Sequence, residues 1–246
     1  MNFLEFVQKR ELNKKLIDTY GKYKVYYVNG EAVRSISQSA NEFIDFAIHD
    51  HFPNIIPKNE IWIDEVVKRP NDLLVFISQC LYEQKLIEKK EKDTYKKALK
   101  MAKKMREILD GLPFHPNKPV SKKIYISKYG TIDDGVDKIT VWLVNGEIVR
   151  DEFKTDYVEG GNDSVYKWIP KNEIWIEDTM LPEEIPLIII HEFVERELMK
   201  YKKMSYNKAH AIASKVDFKY YNKKFTKQDV LSLNKDRAFA LAKEFG

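Results

Sequence analysis

Apolar residues recur along this chain with two different periods. Alternation over residues 23–28 and 32–36, on either side of Asn29-Gly30, predicts a β-hairpin, because that residue pair favours the positive φ of tight turns. The same pattern around Asn145-Gly146 predicts a second hairpin over residues 139–150. Glu60-Ile61-Trp62-Ile63-Asp64 and Glu173-Ile174-Trp175-Ile176-Glu177 read as short strands, each introduced by a proline that suits an edge position. Helical spacing then takes over and predicts helices over 71–89 and 93–109, and again over 182–201 and 206–220. Leu4, Val7, Leu12, Leu16 and Ile17 predict an opening helix over 3–18. Thr226-Lys227-Gln228-Asp229 predicts a capped last helix running to Glu244.

The two series of elements are copies of each other. Ile-Pro-Lys-Asn-Glu-Ile-Trp-Ile stands at 56–63 and, unchanged, at 169–176, and Val28-Asn29-Gly30-Glu31-Ala32-Val33-Arg34 is echoed by Val144-Asn145-Gly146-Glu147-Ile148-Val149-Arg150. Tyr95, Ala98 and Ala102 recur as Tyr206, Ala209 and Ala213 with the same spacing. The expected fold class is therefore α+β: two tandem homologous repeats, each a small antiparallel sheet followed by a helical hairpin, with extra N- and C-terminal helices. The expected boundaries are 1–112 for the first repeat, a linker at 113–120 rich in prolines, and 121–246 for the second repeat.

Composition narrows the class without naming a function. The chain has 246 residues, 43% of them hydrophobic, which is enough for two small cores. One cysteine, Cys80, excludes a disulfide framework and a cysteine-based zinc finger. The start lacks the layout of a secretory signal and the longest wholly apolar run, 187–190, is too short for a bilayer, so a cytoplasmic protein without membrane contact is expected. The net charge of +4 is spread among nearly equal acids and bases, a weak pointer to nucleic acid. The lysines of 85–104 follow helical spacing and read as a solvated face, and no glycine-rich phosphate loop is present.

Candidate chemistry sits in the second repeat. His191 and Glu195, one helical turn apart, share a face with Leu187, Ile188, Val194, Leu198 and Met199, so two titratable groups lie in a core-facing stripe. Buried there, they must be paired, hydrogen-bonded or metal-bound. His210 on the next helix folds back toward them, and Asp217 follows two turns later. Two imidazoles and a carboxylate match a catalytic zinc site with an open position, with Glu192 as general base and Asp217 orienting His210 or joining the shell. The same ligand set suits non-haem iron. In the first repeat Gln79, Cys80, Leu99 and Arg106 stand in place of His191, Glu192, His210 and Asp217, and Glu83 matches Glu195, so that copy is expected to be inactive.

Other residues have blander readings. His191 and Glu195 also suit a structural ion pair. His49 and His51 are expected to be solvent-exposed, with a composite site between the repeats as the alternative, and His115 is expected to be structural. Trp62 and Trp175 are expected in cores rather than on a base-stacking surface. Arg34, Arg150, Glu60 and Glu173 recur in both repeats and are expected to form a fold-defining salt bridge or turn contact.

With His191-Glu192-x-x-Glu195-Arg196-x-Leu198-Met199 and Tyr206-x-x-Ala209-His210-x-x-Ala213, residues 139–217 resemble a group of phage and archaeal mobile-element proteins, for which no activity is established. More broadly, the motif helix looks like a variant of the zincin metallopeptidases, with glutamate where zincins carry the second histidine. That resemblance implies zinc-dependent hydrolysis of a peptide aligned on an edge strand, which would be Glu173 to Glu177. The rival expectation is a non-enzymatic interaction or nucleic-acid-binding scaffold.

Overall fold

Asn29 and Asn145, read above as hairpin turns, instead start helices. Each has a φ of −73°, and its side-chain oxygen accepts from the backbone N–H three residues on, at 2.7 Å from Ala32 and 2.9 Å from Ile148. Asparagine serves helix N-caps as readily as turns, and the following glycine is required for packing. A Cβ on Gly30 would sit 1.6 Å from an Asp64 carboxylate oxygen, and one on Gly146 would sit 2.2 Å from Glu177. The true hairpins lie one element earlier. β1 (Lys15–Tyr20) and β2 (Tyr23–Val28) turn at Gly21, with φ +61°, and β5 (Tyr125–Asp133) and β6 (Lys138–Val144) turn at Gly135, with φ +89°.

The computed structural model describes residues 12–36, 43, 45–110, 119–154, 157–221 and 223–245. The chain divides into two compact units, Met1–Phe114 and His115–Gly246. In each unit the capped helix, α1 (Gly30–Arg34) or α4 (Gly146–Glu152), begins a crossover. The chain then adds a short strand, β3 (Phe46–Ile48) or β7 (Gly160–Asn162), and the octapeptide strand, β4 (Glu60–Asp64) or β8 (Glu173–Glu177). The sheet orders are β1-β2-β4-β3 and β5-β6-β8-β7. The central pairs β2/β4 and β6/β8 run parallel and the outer pairs antiparallel, so each sheet is mixed rather than wholly antiparallel. Long crossovers permit the parallel pairing that a tight hairpin cannot. The octapeptide strands are interior, and the edge beside each is β3 or β7.

The octapeptide recurs because its residues carry the turn and the strand. Asn59 and Asn172 adopt φ +62°, a left-handed conformation that asparagine tolerates. Glu60 and Glu173 accept from the indole N–H of Trp62 and Trp175 at 2.8 and 2.7 Å, and both tryptophans are buried as expected. The recurring arginines do not pair with these glutamates. Arg34 meets Asp64 at 3.1 Å and Arg150 meets Glu177 at 2.7 Å, at the far end of each strand. The same guanidiniums also donate to the Phe43 and Tyr157 carbonyls, fastening the crossover to the sheet.

A helical hairpin covers one face of each sheet: α2 (Pro70–Glu88) with α3 (Thr94–Asp110), and α5 (Ile185–Lys202) with α6 (Tyr206–Tyr220). Strand alternation divides the cores accordingly. Ile61 and Ile63, or Ile174 and Ile176, face the hairpin, while Trp62 or Trp175 faces the side of the short helix. Two expected terminal helices differ. Residues 1–11 lie outside the described residues, as do 113–118 of the expected linker, while Lys15 to Asp18 belong to β1. The last helix breaks in two, α7 (Lys227–Leu231) behind the expected Thr226/Asp229 capping box and α8 (Lys235–Lys243) capped by Asn234, because Asn234 takes the extended backbone of a new N-cap. Among the described residues no helix is long and apolar enough to cross a membrane.

Candidate metal centre

Ile188, Ile189 and Ile190 pack α5 into the core it shares with the sheet, and the next residues carry the polar cluster into that buried setting. His191 and Glu195 stand one turn apart on α5, and the Lys203 left-handed cap ends the helix so that α6 can fold back and bring His210 to them. The Nδ1 of His210 lies 2.9 Å from Oε2 of Glu195 and 3.1 Å from Nε2 of His191, and the His191 to Glu195 separation is 3.8 Å. Ligands placed about 2.0–2.2 Å from a tetrahedral ion are about 3.3 Å apart, so these spacings fit a shared cation. The three form a group of ligating atoms close enough to hold one ion.

Asp217, from the far end of α6, hydrogen-bonds Nδ1 of His191. It therefore joins the shell of the centre through His191, because two turns along α6 bring it level with the start of the motif on α5. With Nδ1–H donated to Asp217, the Nε2 lone pair points at the other two ligands, the arrangement by which carboxylates fix metal-binding histidines. The Tyr206 ring stacks on His210 at 5.2 Å between centroids.

One residue of the centre was not anticipated. Asn162, the last residue of β7, donates through Nδ2 to Oε1 of Glu195 at 3.0 Å and to Oε2 of Glu192 at 2.8 Å. Its Oδ1 accepts from the backbone N–H groups of Ser164 and Val165, which fixes which way the amide faces. The available signal was an asparagine at a strand end before a turn. The edge strand beside the motif helix is likewise β7, not Glu173 to Glu177, since β8 is flanked on both sides.

The electrostatics follow from burial and crowding. Burial and then the neighbouring Glu195 charge push the Glu192 carboxyl up to about 8, against the pull of His191 and Asn162. Burial alone would raise Glu195, but hydrogen bonds from His191 and His210 hold it down to about 2. Burial would lower His191, yet the Asp217 charge and hydrogen bond leave it raised well above its usual value. Three carboxyl groups thus face two imidazoles in one cluster, and those that are ionised demand positive charge. The proton that His191 retains answers part of that demand, and a divalent ion would answer it too. The donor set therefore fits a metal.

No family model, curated protein or solved structure matches this chain. The centre rests on its own geometry.

Among the described residues the first unit has no such group. Glu83 survives but hydrogen-bonds His51 at 3.2 Å and Thr94 at 3.4 Å. His49 sets Nδ1 2.6 Å from the Ile56 carbonyl, so both of these histidines are partly buried and engaged rather than solvated. His115 lies outside the described residues. Ile48 occupies the register position of Asn162, and Phe46, in place of Gly160, stacks on Phe76 at 4.5 Å.

Proposed function

We propose that the second unit is a metal-dependent hydrolase with zinc as its ion, and that the first unit is a copy without activity. The observation that carries this reading is the convergence of two imidazole nitrogens and one carboxylate oxygen at 2.9–3.8 Å, with the far nitrogen of His191 held by Asp217. His191 Nε2, His210 Nδ1 and Glu195 Oε2 would hold the ion. Bound there, it supplies Lewis-acid polarisation and makes a water acidic near neutral pH. Glu192 accepts the proton from the attacking water and returns it to the leaving group. Its raised value in the metal-free cluster falls when a divalent charge enters, since an opposite charge favours the ionised carboxylate. Asn162 holds Glu192 and Glu195 at a fixed separation, so that one carboxylate binds and the other shuttles protons.

A peptide is the substrate class that fits the zincin-like reading, in which the edge strand β7 beside α5 aligns an extended chain. The departure from zincins is the order of ligands, since the carboxylate takes the second helix position and a histidine comes from the next helix. The experiment is element-resolved analysis of purified protein. One tightly held zinc per chain, lost together with activity in His191→Ala, is the expected result, and iron in zinc's place redirects the reaction class.

A second reading, a non-enzymatic interaction scaffold, is favoured by the Glu83–His51 pair, since Glu83 keeps a polar partner at the matching helix position where His191 and His210 have no counterparts. It requires metal-free protein of normal stability, with His191→Ala affecting stability alone. Nucleic-acid binding by that scaffold requires salt-sensitive affinity for DNA or RNA independent of His191.

A further inference from the structure

Arg196 follows the ligand Glu195 on α5, yet it points away from the three ligating atoms into a second polar cluster. Its side chain is completely buried. Nε donates to Asp163 at 2.6 Å, one terminal nitrogen donates to the Asn172 side chain at 2.8 Å, and the other donates to Glu197 at 2.8 Å. Asp163 in turn accepts from the Asn172 backbone N–H at 2.9 Å. Asp163 and Asn172 are the two ends of the connection from β7 to β8, so one guanidinium clamps both ends of that loop. The backbone of the same loop, at Ser164 and Val165, holds the Asn162 amide by its oxygen. The other end of that amide touches Glu192 and Glu195. Helix α5 thus grips a loop that returns to grip the carboxylates of α5.

The first unit supplies the contrast. Gln84 occupies the place of Arg196 and donates to Asp50 at 2.8 Å. The loop is still held there, but the strand position before it is Ile48, and no amide reaches Glu83 from that position. The planar, always-charged fork is found where two carboxylates must be kept in place, and a neutral amide where they need not be.

We infer that Arg196 is a positioning residue for the metal centre, acting through the Asp163–Asn172 loop on the Asn162 amide and so on Glu192 and Glu195. This rests on the metal-centre reading. Outer contacts that orient ligands shift metal affinity by about 10–100-fold when removed. The loss at Arg196 travels through Asn162, so removing both residues costs no more than removing Asn162.

The test is a double-mutant cycle on the full chain, with Arg196→Gln, Asn162→Ala and the double variant. Zinc affinity is measured by competition with a chromophoric chelator, and the visible spectrum of the cobalt-loaded protein reports coordination geometry. Each single variant is expected to bind zinc about 10–100-fold more weakly, and the double variant to match Asn162→Ala within about twofold. Arg196→Gln is also expected to alter the cobalt spectrum, which a merely structural role would leave intact while lowering the melting temperature. Wild-type affinity in Arg196→Gln, or losses that multiply in the double variant, overturns the inference and leaves the metal centre standing. If Arg196→Gln does not fold, Asp163→Asn replaces it in the same cycle, with the same outcomes deciding. Wild-type protein that binds neither zinc nor cobalt sinks the metal-centre reading and this one together.

Discussion

The two helical hairpins use one position for opposite ends. In the first unit Arg106 reaches back from α3 to Asp72 on α2 at 2.5 Å, both side chains buried. In the second, the matching residue Asp217 reaches back from α6 to His191 on α5. An arginine–aspartate pair sets opposite charges against each other. An aspartate–imidazole pair uses one ring nitrogen and turns the other toward Glu195 and His210. Apolar contacts complete the difference, since Phe46 and Phe76 stack where the second unit has Gly160 and Ile188. A tie between two helices becomes part of a binding centre when the residue that forms it has a second, differently aimed donor atom.

The sharpest way to break this comparison is to cut each tie. Arg106→Met removes the guanidinium that faces buried Asp72 and is expected to cost about 3–5 kcal/mol of stability, read by chemical denaturation, with zinc content unchanged. A loss of zinc on that substitution would contradict the assignment of the two ties. Asp217→Asn keeps the shape but removes the charge that fixes the His191 tautomer, and zinc affinity is expected to fall about 10–100-fold with a smaller loss of stability. Equal zinc affinity in wild type and Asp217→Asn would remove Asp217 from the centre.

A pH titration of chelator-treated protein gives the smallest effect. His191 is raised in the folded state, so the stability it contributes is fully present below about 6.5 and is lost as pH climbs through its folded value. Glu192, pushed up to about 8, acts in the same direction, because folded protein holds its proton over a range where the unfolded chain has released it. Glu195, held down to about 2, acts oppositely, and its contribution is lost as pH falls below the usual carboxylate range. The melting temperature of metal-free protein is therefore expected to decline from pH 6.5 to 9, with a flatter profile after zinc loading. A metal-free profile as flat as the loaded one would contradict the charge balance described for the cluster.

Much of this was legible in the residues because it is local. The helical hairpins show in spacing, and four-residue separation puts His191 and Glu195 on one face. The return of His210 follows from a short connection between two helices. What was not legible depends on tertiary context. Asn29-Gly30 satisfies a turn and a helix cap equally, and only the approach of Asp64 explains the glycine. Asn162 reaches Glu192 and Glu195 through a strand order that no pattern in residues 160–164 encodes. The Arg34 and Arg150 partners stand at the opposite end of the strand from Glu60 and Glu173, because a crossover and not a hairpin places the arginines there.

The parallel placement of the octapeptide strands has a kinetic consequence. β1/β2 and β5/β6 can zip locally, but Glu60–Asp64 and Glu173–Glu177 come to rest between neighbours made earlier in the chain. Until each arrives, β2 or β6 shows an open row of backbone donors and acceptors. Closing that gap spans the whole crossover, so sheet completion is expected to be the slow, aggregation-exposed stage of refolding. Shortening either crossover is the change expected to speed it.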